Sequence, residues 1–248
     1  MYKFLLRPRW LAFHLLCLAG IVLMVNLSLW QFRRLDERQQ LNAAVEARSA
    51  VATRPVEELL PGEEPVPGDD ALDALEWYTT IASGTYDAAA QVIVVNRSQG
   101  GQAGQNVVTP LVLDDGRLLL VNRGFVPLAA AVPPPPEGTV VVEGRLRVSQ
   151  ERSLGQLSDP AEGTLAEVLR IDIERLARQL DAPVVPMYVD LIASQPAEGD
   201  LPIPVPEPEL GNGPHLSYAI QWIIFATSVA VGWVLAVRWS VRKRAERT

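Results

Sequence analysis

The stretch LAFHLLCLAGIVLMVNLSL, residues 11–29, and a second one, LSYAIQWIIFATSVAVGWVLAV, residues 216–237, contain no charged side chain. A helix rises 1.5 Å per residue, so about 20 apolar residues cross a hydrocarbon core about 30 Å thick. Both stretches are therefore expected to span a membrane, and the rest of the chain is read by its position around them. Residues 1–10 form a tail, 11–30 the first span, 31–215 a folded domain, 216–237 the second span and 238–248 a second tail.

Charge is divided along the same lines. Lys3, Arg7 and Arg9 give +3 before the first span; Arg238, Arg242, Lys243, Arg244 and Arg247 against Glu246 give +4 after the second. The total of −7 leaves −14 for the middle, which has 14 arginines, 28 acids and no lysine. Short basic flanks stay on the cytoplasmic side. The expectation is an integral membrane protein with both termini cytoplasmic and residues 31–215 outside. Arg33, Arg34 and Arg38 dilute this bias. A cleaved signal peptide is the other reading of the N-terminus, but Ser28-Leu29-Trp30-Gln31 supplies no small-x-small cleavage site.

With 48% apolar residues the 248-residue chain is neither disordered nor collagen-like, despite 20 prolines. Cys17 is the single cysteine and His14 and His215 are the two histidines, which excludes an internal disulfide and zinc-finger spacing. An acidic middle disfavours nucleic acid, whose phosphates need a basic face. There is no phosphate-binding glycine loop and no G-x-S-x-G elbow, and no histidine lies in the middle before His215, so hydrolase chemistry lacks its base. The chain is not expected to be an enzyme.

The middle predicts mostly antiparallel strands. After a helical continuation over 31–52 and an exposed acidic loop over 55–76, strands are expected at 77–87, 91–97, 107–113, 117–126, 139–148 and 184–192. Asp114-Asp115-Gly116 makes a hairpin turn, and Gly100, Gly101 and Gly104 a flexible one. A helix is expected over 164–180, with Asp172 as a cap for its second half. Alternating prolines from Pro202 to Pro208 form an extended linker. The fold class is a membrane α+β protein, in which a two-helix hairpin carries a β-barrel-like or curled-sheet domain with one or two helices.

Chemistry gathers at the membrane boundary. His215 precedes the second span, Tyr218 and Trp222 follow at i+3 and i+7, and Trp30, Gln31, Arg33 and Arg34 end the first span. Imidazole, aromatic rings and guanidinium groups at one depth have the chemistry to hold a haem, with His215 as metal ligand, Tyr218, Trp222 and Trp30 against the macrocycle and Arg34 toward the propionates. The same residue types anchor helices at bilayer interfaces, and both readings stand at this point. His14 lies about 25 Å along the helix from Gln31 and cannot share an iron with His215. Asn26, Gln221, Thr227 and Ser228 are expected to bond to a neighbouring helix.

Several segments resemble one family in order. Trp30-Gln31-Phe32-Arg33-Arg34 resembles the Trp-Gln-x-x-Arg signature of the surfeit locus protein one family, with Ser28 where a glycine is common. Thr109-Pro110-Leu111 and Val121-Asn122-Arg123-Gly124-Phe125-Val126-Pro127 are similar to its middle motifs, with Phe125 in place of tryptophan; Glu143-Gly144-Arg145-Leu146 is similar to its next strand. Pro214-His215-Leu216-Ser217-Tyr218-Ala219-Ile220-Gln221-Trp222 resembles its entry to the second helix, with Asn212 displaced. The resemblance implies an assembly factor for aa3-type cytochrome c oxidase in the cell membrane. Such a factor assists haem a delivery or insertion into oxidase subunit one, with haem a synthase as a further partner and His215 as the haem ligand. The alternative is a membrane-anchored scaffold or accessory subunit that binds oxidase subunits without binding haem.

Overall fold

A computed structural model describes residues 5–62, 69–150, 152–153 and 155–246. Lys3, Arg247 and the centre of the expected acidic loop, 63–68, lie outside the described residues. Contacts divide the chain into two units, Met1–Ala44 with Glu209–Thr248, and Val45–Pro208.

The first unit is a helical pair. Helix α1 (Pro8–Ser49) opens on a proline at its first position, where a missing N–H costs no hydrogen bond, and continues far past Trp30, as expected. Pro55 follows its end. The second long helix, His215–Ala245, is preceded by Gly213 in a left-handed conformation at φ +61° and by Pro214. Both helices are long and apolar enough to cross a membrane. They run antiparallel, since His14 meets Trp233, Ser28 meets Ala219 and Gln31 meets His215. The less exposed positions repeat every three or four residues, at His14, Cys17, Ile21, Met24, Ser28, Gln31 and Leu35 on one helix and His215, Ala219, Trp222, Ala226 and Trp233 on the other. That is the seam of two helices packed side by side. Ser28, Ala219 and Ala226 are small and buried, which lets the backbones approach. Contrary to expectation, Asn26, Thr227 and Ser228 bond to carbonyls four residues back on their own helices, at Val22, Ile223 and Ile224. One turn back is always within reach, and these side chains need no partner helix.

The second unit is a mixed β-sheet of eight strands: β1 (Arg54–Pro55), β2 (Thr79–Tyr86), β3 (Val92–Gln99), β4 (Gln102–Leu113), β5 (Leu118–Pro127), β6 (Thr139–Val148), β7 (Glu167–Val168) and β8 (Val184–Gln195). Two hairpins follow from local sequence. Gly100-Gly101, both at positive φ, joins β3 to β4, and Asp114-Asp115-Gly116 joins β4 to β5 with Gly116 at φ +83°. β2 pairs with β6 along its length and with β4 through Gly84–Tyr86, so the sheet curls back on itself. The middle is less purely antiparallel than expected: β8 lies between β6 and β5, antiparallel to one and parallel to the other. The chain between β5 and β8 is long enough for the crossover that a parallel pairing needs.

The short helices are α2 (Val56–Leu59), α3 (Asp69–Leu75) and α4 (Ile173–Ala177); the helix His215–Ala245 is α5. The acidic stretch is therefore not all exposed loop, because Val56, Leu59 and Leu60 are buried in the core. The expected helix over 164–180 shrinks to α4. Its first half instead pairs with β3 through β7, where the amide of Ile93 donates to Ala166 and tertiary pairing overrides helix propensity. Asp172 caps α4, accepting from the Arg175 amide at 3.0 Å. β5 is covered on both faces: Leu119 and Val121 enter one core cluster with Leu111, Leu146 and Met187, while Leu120 enters the other with Val94, Ile171 and Tyr188.

Candidate functional site

The junction of the two helical motifs sits in the seam of the helical unit. His215, the first residue of α5, is half-buried, and its Nδ1 lies 2.8 Å from Gln31 Oε1. With the amide oxygen as acceptor, Nδ1 carries the proton, and in the neutral ring Nε2 then keeps its lone pair. Gly213 borders that free edge. A Cβ at position 213 would stand 3.3 Å from Cδ2 and 3.4 Å from Nε2 of the imidazole, and the left-handed backbone there favours glycine. The ring is thus oriented at one nitrogen and uncrowded at the other.

One turn into the seam, the Ser28 hydroxyl donates to the Ala219 carbonyl at 3.0 Å. Ser28 is 3% exposed, so the residue that departs from the usual glycine works as a buried interhelical bond. About three turns further along α1, Asn42 Nδ2 meets Asn212 Oδ1 at 3.4 Å. At the far end of the pair, Trp233 Nε1 donates to His14 Nδ1 at 2.8 Å, and the rings of Trp10 and Phe13 pack about His14. His14 is occupied at its Nδ1 as an acceptor, the reverse of His215.

The other expected site residues are less closely gathered. Tyr218 is off the seam and about half-exposed, because position 219 rather than 218 faces α1. Trp222 is on the seam and packs edge-on against Phe225. Trp30 is about half-exposed, with the Arg34 guanidinium 5.8 Å from its ring centre, and Arg34 is paired with Glu37 at 2.7 Å. The residue missed as a direct partner of His215 is Gln31. Its signal was the antiparallel register, which places position 31 opposite 215 once 28 is opposite 219.

The middle motifs occupy the interior of the β unit. Arg123 is fully buried and bidentate to Glu198, at 2.8 and 2.6 Å, and also donates to Gln91 Oε1 and to the carbonyls of Pro133 and Pro134. Thr109 donates to the same Gln91 oxygen, so two motifs meet on one side chain. Gly124, at φ +130°, lets the Phe125 and Ile203 backbones exchange hydrogen bonds; a Cβ there would lie 2.2 Å from the Ile203 carbonyl oxygen. Asn122 donates to Asp190 at 2.7 Å, and Arg147 bridges Asp190 and Glu76 while stacking 3.8 Å over Trp77. Burial pushes the Asp190 carboxyl above its ordinary range, against the pull of Arg147, the Asn122 bond and Arg145. Burial likewise raises the Tyr86 hydroxyl, Glu198 adds to the rise and Arg123 opposes it. These groups join strands and loops that are distant in sequence.

Comparison with known proteins bears on the same segments. The model of the SURF1 family matches residues 18–227, from inside α1 through the first three turns of α5. The chain belongs to the SURF1 family. An uncharacterized SURF1-like protein of Mycobacterium tuberculosis is 32% identical over 239 residues, covering 92% of this chain and 83% of that relative; one from Mycobacterium bovis matches equally. A SURF1-like protein of Monosiga brevicollis is 27% identical over 234 residues, covering 88% of this chain and 84% of its own. The SURF1 family is linked to cytochrome oxidase assembly and is one of assembly factors rather than a known enzyme class. Two apolar helices near the ends of the chain are compatible with membrane anchoring.

Proposed function

We propose that this SURF1 family member is an assembly factor for aa3-type cytochrome c oxidase that assists delivery or insertion of haem a into subunit one. Haem a synthase is the further partner, as the source of the cargo. The observation that carries the reading is the Gln31 to His215 hydrogen bond, which joins the two helical motifs of the family and leaves Nε2 available to iron. An apolar macrocycle with charged propionates suits a bilayer edge, where lipid covers the tail and polar groups meet water.

The residues present fit a role for His215 as the side chain that would hold the haem iron, since one nitrogen is fixed and Gly213 leaves the other edge open. Trp222 and Tyr218 supply ring faces on the same helix, and Trp30 adds a half-exposed ring on α1. Arg34 fits the propionate role only by exchanging Glu37 for the ligand. When bound, the haem supplies an iron that imidazole ligates; the protein orients the imidazole, lines the ring and limits exposure to water. The basic flanks favour a topology with both termini in the cytoplasm and residues 31–215 outside.

The test is to purify the protein in mild detergent from cells that make haem a, and to record the pyridine haemochrome spectrum and the co-purifying chains. Haem a at a stoichiometric level together with oxidase subunit one is the expected result, lost when haem a synthesis is removed. A protein that captures subunit one without haem contradicts the haem role and favours a scaffold.

A further inference from the structure

We propose that the β unit has an oxyanion site of its own, in a cleft walled by Arg97, Gln150, Gln156, Leu157, Leu169 and Arg170, which takes a phosphate or carboxylate carried by a small organic molecule. Six of the eleven arginines of this unit pair with an acid: Arg54 with Glu58, Arg117 with Asp115, Arg123 with Glu198, Arg145 with Glu207, Arg147 with Glu76 and Asp190, and Arg178 with Glu174. Among the described residues Arg48, Arg152 and Arg175 have no acid partner, and nor do Arg97 and Arg170. Among the described residues, neither has a carboxylate within ion-pair distance, although acids outnumber arginines two to one in the middle of the chain.

Both guanidinium groups are nonetheless held in place. A bulge in β3 between Val94 and Arg97, with Asn96 in a left-handed conformation, precedes Arg97, whose Nη2 donates to Gln150 Oε1 at 3.2 Å and to the Leu169 carbonyl at 3.1 Å. Arg170 Nη2 donates to the Leu157 carbonyl at 2.5 Å. Each arginine is anchored through one nitrogen, and Nε and Nη1 of both have no acceptor among the described residues. Gln150 cannot serve them, because its oxygen also accepts from the Ile171 amide and its nitrogen donates to the Tyr188 hydroxyl.

Arg170 is only 9% exposed. The remaining donors of both guanidinium groups are not among the fully buried atoms and open onto the cleft, where an anion can take them in charge-assisted bonds in place of water. Two planar forks on adjoining elements suit an oxyanion with two or three oxygens better than a halide. The cleft, about 380 Å³, exceeds a bare phosphate and leaves room for a carbon body against Leu157 and Leu169. The site lies wholly within the β unit and does not depend on haem at His215.

The experiment uses the full chain in non-ionic detergent. Arginines are modified with phenylglyoxal and mapped by mass spectrometry, with and without inorganic phosphate, glycerol phosphate or succinate, and in nanodiscs of phosphatidylglycerol or phosphatidylcholine. The expected result is a several-fold slower modification of Arg97 with one of the anions, while Arg54, exposed and paired with Glu58, is unchanged. Protection by dissolved glycerol phosphate or succinate identifies a soluble ligand; protection by phosphatidylglycerol discs alone identifies a lipid headgroup. Arg97→Gln weakens binding of the protecting anion about tenfold, as loss of a charge-assisted pair of bonds requires, and Arg170→Lys does so to a smaller extent. No protection by any anion, equal protection of Arg97 and Arg54, or unchanged binding by Arg97→Gln overturns the site.

Discussion

The two units bury polar groups in opposite ways. Along the helical seam the joints among the described residues pair no acid with a base: an imidazole with an amide, a hydroxyl with a carbonyl, an indole with an imidazole. Inside the β unit the joints are ionic, centred on Arg123 with Glu198 and on Arg147 with Glu76 and Asp190. In hydrocarbon a charge is expensive even when paired, so a helix pair that is to stay in lipid is held by groups that need only one hydrogen bond. A sheet with a water-accessible surface can hold charges where backbone carbonyls and acids satisfy all their donors. The seam leaves Nε2 of His215 without a partner among the described residues, whereas the ionic joints hold both members of each pair within the sheet.

The largest effect is expected where a buried charge loses its partner. Arg123→Ala should destabilise the β unit by about 3–5 kcal/mol, because Glu198 is left buried without its cation. Hydrogen exchange of β5 peptides in the full chain measures it, and exchange in α1 and α5 should be unchanged. A loss below about 1 kcal/mol would mean that the ionic interior is not what holds the sheet.

Asp190 sharpens the contrast through pH. Its folded carboxyl binds a proton more tightly than the unfolded one, so between the two pKa values the native state holds more protons, and this group's contribution falls as pH rises through that window. Asp190→Asn removes the slope. The difference in unfolding free energy between the wild type and this variant should therefore decline with rising pH above the ordinary carboxylate range and then level off. A difference that rises with pH would contradict the burial-dominated reading.

The smallest effect belongs to the seam. Ser28→Ala, which removes the hydroxyl and keeps the side chain small, should cost about 1 kcal/mol of helix association, in the range of interhelical hydrogen bonds in membranes. Ser28→Gly, which restores the residue common in the family, should cost less, because it allows a closer backbone approach. A fluorescence-transfer association assay of the two helices in bilayers reads both; a larger loss for glycine than for alanine would show that side-chain packing, not the bond, sets the contact.

Much of this contrast was legible in the residues. The two uncharged runs gave α1 and α5, Asp114-Asp115-Gly116 gave its hairpin and Asp172 its cap, since each depends on neighbours a few positions away; Gly100-Gly101 do turn the chain, but Gly104, read as part of that turn, lies in β4 against Phe125. What was hidden depends on distant pairing. Arg123 and Glu198 are 75 positions apart, and the parallel entry of β8 beside β5 has no local signature. Residues 164–171 have helical composition, yet a sheet edge claims them. At the site, Trp30 was the conspicuous residue and Gln31 the ordinary one, but the antiparallel register turns Gln31 toward His215 and leaves Trp30 about half-exposed.

The central claim is that His215, held through Nδ1 by Gln31, presents Nε2 to haem iron, while His14, which accepts from Trp233, does not. The most direct measurement compares the haem content and Soret spectrum of the purified wild type, His215→Ala and His14→Ala, all made in cells that synthesise haem a. The expected outcome is bound haem a in the wild type and in His14→Ala, and its loss in His215→Ala with membrane insertion intact. Equal haem content and an identical spectrum in all three, or loss only in His14→Ala, would contradict it.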